Sequence, residues 1–144
     1  MIAIACDHGG YDLKLRLMER LTERGDAFED LGCSGERVDY PVYAEKAARG
    51  VADGVYERAI LVCGTGIGMS IAANKIPGIR AALCADCYSA QATREHNDSN
   101  ILCLGGRTIG SELAAKIMDT WLDTPFSGAE HHARRIGMIA EMER

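Results

Sequence analysis

Five short strand-like segments, separated by stretches with helical spacing, constrain the fold of this chain more than any other feature. They run from Ile2 to Cys6, Ala27 to Leu31, Ala59 to Cys63, Arg80 to Cys84 and Ile101 to Leu104. Four of them are nearly continuous apolar runs, which is typical of parallel strands covered on both faces. The alternation predicts an α/β three-layer sandwich with a five-stranded, mostly parallel sheet, formed by residues 1–144 as a single domain.

The segments between the strands carry helical patterns. Leu13, Leu17 and Leu21 repeat every four residues, and Arg24-Gly25 then supplies the basic last turn and the glycine typical of a helix C-terminus. Further helices are predicted for Tyr43 to Ala52, Ile67 to Lys75, Tyr88 to His96, Glu112 to Leu122 and His132 to Arg144. The apolar stripe of the last helix needs a surface, and its spacing fits either a second subunit or its own domain.

Composition and charge exclude several classes of partner. The 21 acidic and 16 basic residues give a net charge of −5 and are spread along the chain, without a basic run suited to nucleic acid or an anionic membrane. The N-terminus lacks the features of a signal peptide, and no apolar run reaches membrane-spanning length. We therefore expect a cytoplasmic protein whose six cysteines remain thiols.

The loop after the third strand is the most informative place to look for chemistry. In an open parallel sheet, ligands bind beyond the carboxyl ends of the strands. Here the loop contains Gly64, Gly66 and Gly68 at alternate positions, so its amides can converge on an anion. Met69 breaks the dinucleotide pattern G-x-G-x-x-G, and no P-loop lysine follows. An anion cradle and an ordinary tight turn both remain compatible with the spacing.

Cys63 lies between the third strand and this loop. A helix N-terminus and neighbouring amides stabilise a thiolate there, so Cys63 is a candidate nucleophile or base, although a cysteine ending an apolar strand is often a core residue. The cysteine-phosphatase pattern is absent because Met69 stands where an arginine is required. Cys84 and Cys87 form a C-x-x-C pair, but no second pair lies at metal-ligand spacing, so no metal is predicted.

Titratable residues flank the first and fifth strands. Asp7 and His8 follow the first strand, and His96 precedes the fifth, beside Asn97 and Asp98. A carboxylate contact fixes the tautomer of a histidine and lets it transfer protons near neutral pH. A lone histidine is more often a surface residue, but two such pairs near the loops of a parallel sheet favour a functional role.

Arginines offer fork-shaped donors to a phosphate group. Arg107 follows the fifth strand, and the cluster His131-His132-Ala133-Arg134-Arg135 begins the last helix. The alternative is that this cluster is only the solvated basic start of a helix.

Several ordered motifs together resemble one family. They are Cys6-Asp7-His8-Gly9-Gly10, Arg37-Val38-Asp39-Tyr40-Pro41, Cys63-Gly-Thr-Gly-Ile-Gly68, Ala72-Ala73-Asn74-Lys75 and His96-Asn97-Asp98-Ser99-Asn100. The chain resembles the ribose-5-phosphate isomerase B family, which also includes galactose-6-phosphate isomerase, from Met1 to about Ile139. The resemblance implies a Rossmann-like fold, no metal or organic cofactor, and a homodimer or tetramer with active sites at the subunit interface.

The resemblance also implies roles for individual residues. It assigns Cys63 as the base that removes a proton from carbon, His96 as the residue that helps to open the sugar ring, and Thr65 as a further catalytic residue. The implied substrate contacts are Asp7, His8, Tyr40, Gly64, Gly66, Ile67, Gly68, Asn97, Arg107, His131, His132, Arg134 and Arg135. The implied reaction interconverts ribose 5-phosphate and ribulose 5-phosphate through an enediolate.

The C-terminal phosphate motif departs from the family pattern of arginine, histidine, two variable residues and arginine. If His132 and Arg135 match it, the leading arginine is replaced by His131; if His131 and Arg134 match it, Glu130 takes that place. We favour the first register, and both weaken a phosphate contact. An isomerase of a six-carbon sugar phosphate is therefore the nearest alternative, and a non-catalytic nucleotide-binding module is a more distant one.

Overall fold

The computed structural model describes residues 1–144. Its strands are β1 (Ile2–Cys6), β2 (Phe28–Gly32), β3 (Arg58–Cys63), β4 (Ala81–Leu83) and β5 (Ile101–Gly105). Its α-helices are α1 (Tyr11–Arg24), α2 (Tyr40–Ala52), α3 (Ile67–Ala73), α4 (Cys87–Asn97), α5 (Ser111–Asp123) and α6 (Glu130–Glu141), and a 3-10 turn covers His8–Gly10. All strands pair in parallel in the order β2-β1-β3-β5-β4, which confirms the predicted sheet.

Two apolar cores lie on the two faces of the sheet. One face of β1, β3 and β5 packs against α1, α4 and α5, where Leu17 and Trp121 are fully buried. The other face packs against α2 and α3, whose alanines allow a close approach to the sheet. Alternate residues of one strand therefore enter different cores, and Cys63 points to the α2 and α3 side.

Helix boundaries differ from the prediction where local capping decides them. Helix α2 begins at Tyr40, three residues before the predicted start at Tyr43, because Pro41 suits the first turn of a helix and Asp39 is extended at the N-cap. Helix α3 ends at Ala73, before Lys75. The asparagine that follows α3, Asn74, bonds both the amide and the carbonyl of Ala81 at 2.8 and 3.0 Å, and so occupies polar groups on the exposed edge of β4.

The last helix packs on its own chain but buries no residue completely. Its start is tied to α4 through the amide of Ser127, which donates to the carbonyl of Glu95 at 3.2 Å. Past its end, Glu143 accepts the amide of Gly78 at 2.6 Å. Ile139 is 43% exposed and Met142 is 80% exposed, so much of the predicted apolar stripe stays open. No helix of the structure has the length and apolar composition needed to cross a bilayer.

The loops that follow β1, β3 and β5 touch each other through glycines. A Cβ on Gly10 would lie 2.8 Å from Val62 Cγ1 and closer still to the Val62 carbonyl, and a Cβ on Gly106 would lie 2.8 Å from the Gly9 carbonyl oxygen. Side chains at these positions would push the loops apart. Because these three strands are neighbours in the sheet, their loops form one continuous surface at the carboxyl edge.

Gly10→Ala should lower the free energy of unfolding by about 1–3 kcal/mol, because the new methyl overlaps the backbone of β3. The matched control is Gly137→Ala in the middle of α6, where a Cβ meets nothing within 4 Å. That change should stabilise the protein by up to about 1 kcal/mol through helix propensity. Urea denaturation of both variants measures this, and equal effects at the two glycines would contradict the close approach.

Candidate active site

The Cys63 thiol lies at the base of the glycine loop. Cys63 is the last residue of β3 and is 4% exposed, and its Sγ accepts the amide of Gly66 at 3.1 Å. Gly66 has a φ of 78°, and a Cβ there would lie 2.6 Å from Leu83 Cδ1. Glycine is therefore required to turn this amide toward the sulfur.

The same loop carries amides without acceptors. The N–H groups of Gly64, Thr65, Gly68 and Met69 make no hydrogen bond within the chain, whereas the amide of Ile67 donates to Thr65 Oγ1 at 3.2 Å. Such a row of free donors beside one sulfur suits an oxygen that carries negative charge. The geometry favours the interpretation of this loop as an anion cradle rather than as an ordinary tight turn.

Asp7 and His8 face this loop from the end of β1. Asp7 is buried, and its Oδ1 accepts the amides of Gly9 at 2.9 Å and Gly10 at 3.2 Å, which caps the 3-10 turn. The amide of Val38 donates to His8 Nδ1 at 3.4 Å, so a neutral His8 carries its proton on Nε2. The loop before α2 thereby fixes which nitrogen of His8 is a donor.

Arg107 and Tyr40 complete the rim at this edge. The amide of Arg107 donates to the Gly64 carbonyl at 2.9 Å, and its guanidinium lies over Gly64, where a Cβ would be 3.4 Å from Nη1. The Tyr40 ring packs on Gly68. An open cavity of about 630 Å³ lies beside Tyr40, lined by Asp7, His8, Val38, Asp39, Tyr40, Pro41 and Val42.

The remaining predicted residues lie at the opposite edge of the sheet. His96 and Asn97 end α4, just before β5 begins, and Cys63 pairs with Gly105 at the other end of β5. The length of β5 alone separates the two ends by about 13 Å. The other members of this second group are His131, His132, Arg134 and Arg135 of α6. Within one chain the structure therefore does not bring His96 to Cys63.

The second group is organised around three imidazole rings that lie close together and are tilted against each other. The His132 ring lies 4.4 Å from the His96 ring and 4.0 Å from the His131 ring, measured between centroids. Desolvation lowers the pKa of His132, and the nearby His131, His96 and Arg135 lower it further, against a smaller opposing effect of Glu95. Neutral His132 is thus the favoured state near pH 7.

Other cysteines are explained by packing. Burial, assisted by Asp86, raises the pKa of Cys84 to about 11, which does not suit a reactive thiol of a C-x-x-C pair. Burial likewise raises the pKa of Cys103, which is fully enclosed in the core. No three His, Cys, Asp or Glu side chains converge in a way that would hold a metal ion.

Comparison with known proteins agrees with the loop geometry. The model of the ribose/galactose isomerase family matches residues 2–139. The chain belongs to this family. Ribose-5-phosphate isomerase B of Escherichia coli K12 is 50% identical over 144 residues, which cover 99% of this chain and 96% of that protein. D-erythrulose-4-phosphate isomerase of Pectobacterium atrosepticum is 46% identical over 147 residues, with 99% and 97% covered.

A solved structure extends the agreement to the backbone. The ribose-5-phosphate isomerase B of Clostridium thermocellum superposes with a TM-score of 0.96 at 51% identity, covering 99% of this chain and 96% of that one. The resemblance inferred from the motifs is therefore confirmed, and so is the α/β fold. The family match includes most of α6, whose start carries His131, His132, Arg134 and Arg135.

Sequence reasoning missed several residues that position the predicted site residues. Val38 orients His8 with its amide, Gly10 and Gly106 permit the loop contacts, and Ser127 lies 2.8 Å from His132 Nδ1 through its hydroxyl oxygen. The Gly-Gly pairs after β1 and β5 were a usable signal for close approach. Nothing in the spacing marks Val38 or Ser127, because their partners are distant in sequence.

Asp7→Ala should lower the free energy of unfolding by about 1 kcal/mol, because the Gly9 amide loses its acceptor and the Gly10 amide keeps only the Asp7 carbonyl, at 3.1 Å. Asp7→Asn keeps a side-chain oxygen at that position and should lose only a few tenths of a kcal/mol. Chemical denaturation of the two variants measures the difference. Equal losses would mean that the carboxylate charge, rather than the acceptor, holds the turn.

Proposed function

We propose that this protein is an aldose-ketose isomerase that interconverts ribose 5-phosphate and ribulose 5-phosphate. The observation that carries the proposal is the Cys63 sulfur, 3.1 Å from the Gly66 amide and bordered by amides that have no acceptor in the chain. A base beside a set of fixed donors is what the transfer of a carbon-bound proton requires. The names of the relatives support the same substrate class.

Cys63 acts as the base in the proposed reaction. Its thiolate removes the proton from C2 of the open-chain aldose, the C–H electrons form the C1–C2 double bond, and the carbonyl oxygen takes the negative charge. The free amides of Gly64, Thr65, Gly68 and Met69 are placed to hold that oxygen. Return of the proton to C1, with transfer of the O2 proton to O1, gives the ketose and restores the thiolate. The Thr65 hydroxyl accepts the Ile67 amide, so its own proton is free for a substrate oxygen.

Ring opening requires a second proton-transfer residue, and we assign it to His96. A proton given to the ring oxygen lets the C1–O bond break as the C1 hydroxyl loses its proton. Since His96 lies at the far edge of its own sheet, the His96 that serves Cys63 comes from a second copy of the chain. We therefore propose a homodimer, alone or paired into a tetramer, with each active site between subunits.

The phosphate group would bind where cationic donors surround the Cys63 loop. Arg107 lies over Gly64, and His8 has its Nε2 available as a donor. Arg134, Arg135 and His131 on the exposed side of α6 are the candidates from the second copy. The Nδ1 of His132 is occupied by Ser127, and its ring faces His96, which argues against a phosphate role for His132.

The altered motif at the start of α6 keeps a six-carbon sugar phosphate as the second candidate substrate. If His132 and Arg135 match the family motif, His131 replaces its leading arginine. Histidine is a shorter and weaker phosphate donor than an arginine, so the phosphate binds in a different position. A screen of four-, five- and six-carbon sugar phosphates by kcat/KM decides the chain length. Stabilisation by nucleotides with no isomerase activity toward any sugar phosphate would instead favour a binding module.

Cys63→Ala should reduce kcat for ribose 5-phosphate by at least about a hundredfold, because no other group of the loop can take a carbon-bound proton. The matched control is Cys87→Ala, a half-buried thiol at the start of α4, which should retain activity. Circular dichroism must show that both variants are folded. Equal loss in the two variants, or full activity in Cys63→Ala, would contradict the assigned base.

A further inference from the structure

The contact between α6 and the end of α4 has a specific geometry at His96. His96 is exposed apart from the His132 ring, which lies 4.4 Å away and is tilted by 36°. No hydrogen bond within the chain fixes the His96 ring. The orientation of His96 therefore depends on the imidazole that packs against it.

The His132 ring is itself held on its other side. Its Nδ1 lies 2.8 Å from Ser127 Oγ, and that oxygen also accepts the Ala129 amide at 3.1 Å. The Ser127 amide donates to the Glu95 carbonyl at 3.2 Å, one residue before His96. Ser127 thus contacts both the backbone next to His96 and the His132 ring that packs on His96.

We propose that His132, held by Ser127, is a positioning residue for His96. This inference rests on the proposed function, because it assumes that His96 transfers the proton that opens the sugar ring. His132 does not touch the substrate in this account. It presents the His96 ring in one orientation toward the active site of the second copy.

The charges around the pair fit this role. Glu95 of α4 and His131 and Arg135 of α6 surround the two rings, and Arg80 bonds the carbonyl of Asn97 at the end of α4. Desolvation lowers the pKa of His132, so His132 stays neutral while His96 exchanges its proton. Two cationic imidazoles in contact would repel each other, and a neutral His132 avoids this.

Comparing kcat from the aldose with kcat from the ketose distinguishes a misplaced His96 from a general loss of catalytic activity. Ribose 5-phosphate is mostly cyclic and needs ring opening. Ribulose 5-phosphate cannot form a five-membered ring, because the phosphate occupies its C5 oxygen. A variant with a misplaced His96 can still convert the open-chain ketose, since the aldose product can leave the site and close its ring in solution. Loss of positioning should therefore affect kcat far more from the aldose than from the ketose.

The experiment measures kcat and KM in both directions for wild type, His132→Ala, His132→Phe and Ser127→Ala. We expect His132→Ala to lose about tenfold or more in kcat from ribose 5-phosphate and much less from ribulose 5-phosphate. The KM for ribose 5-phosphate should fall in parallel, because the unopened ring occupies the site and the equilibrium constant fixes the ratio of the two kcat/KM values. His132→Phe keeps an aromatic ring against His96 and should recover part of the loss. Ser127→Ala should fall between His132→Ala and wild type.

A matched control tests for simple loosening of α6. Ile136 lies one turn after His132 on the same half-buried face, so Ile136→Ala weakens the docking of α6 without removing an imidazole. It should lower Tm without changing the ratio of the two kcat values. A changed ratio in Ile136→Ala equal to that in His132→Ala would overturn the proposal.

Two further outcomes would also overturn it. Equal losses of kcat in both directions would mean that His132 has no role in ring opening. A raised KM together with a raised inhibition constant for inorganic phosphate, at unchanged kcat, would make His132 a phosphate ligand. Failure of the wild type to convert either sugar phosphate would contradict the proposed function itself and is distinguishable from all of these results.

Discussion

The close approach of three loops at the carboxyl edge of the sheet is the constraint on which the rest of the structure depends. Gly10 packs against the end of β3, Gly106 packs against the loop after β1, and Gly66 turns its amide toward the sulfur of Cys63. Each contact leaves no room for a side chain. The result is a thiol at the base of a loop with unpaired amides, held by strands that are buried on both faces.

Much of this arrangement was predictable from the chain alone. Parallel strands covered on both faces must be apolar, so the five segments and their order of appearance indicated the fold class. The residues after each strand had to share one edge, which brought Asp7, Cys63 and Arg107 together without knowledge of any contact. The start of α2 was predicted too late, because Tyr40 and Pro41 at its N-terminus do not belong to its alanine pattern.

What the sequence did not reveal is which side chains and amides touch across long separations. The tautomer of His8 depends on the Val38 amide, and the His132 ring depends on Ser127 and His96. No periodic pattern in the sequence indicates that any of these pairs is in contact. The position of His96 was nevertheless implicit in the order of elements. A residue just before a parallel strand cannot lie at the same edge as a residue just after its neighbour, so His96 and Cys63 had to be separated within one chain.

Because of this separation, the proposed mechanism requires an active site that is shared between two copies of the chain. The most direct measurement mixes Cys63→Ala and His96→Ala, each expected to have little activity from ribose 5-phosphate alone, under conditions that exchange subunits. In a mixed dimer, one interface joins an intact Cys63 to an intact His96, and the other lacks both. If the active site is shared, activity reappears on mixing, up to about a quarter of wild type if half of the dimers are mixed and each has one working site. No recovery, with subunit exchange confirmed by mass spectrometry, would contradict it.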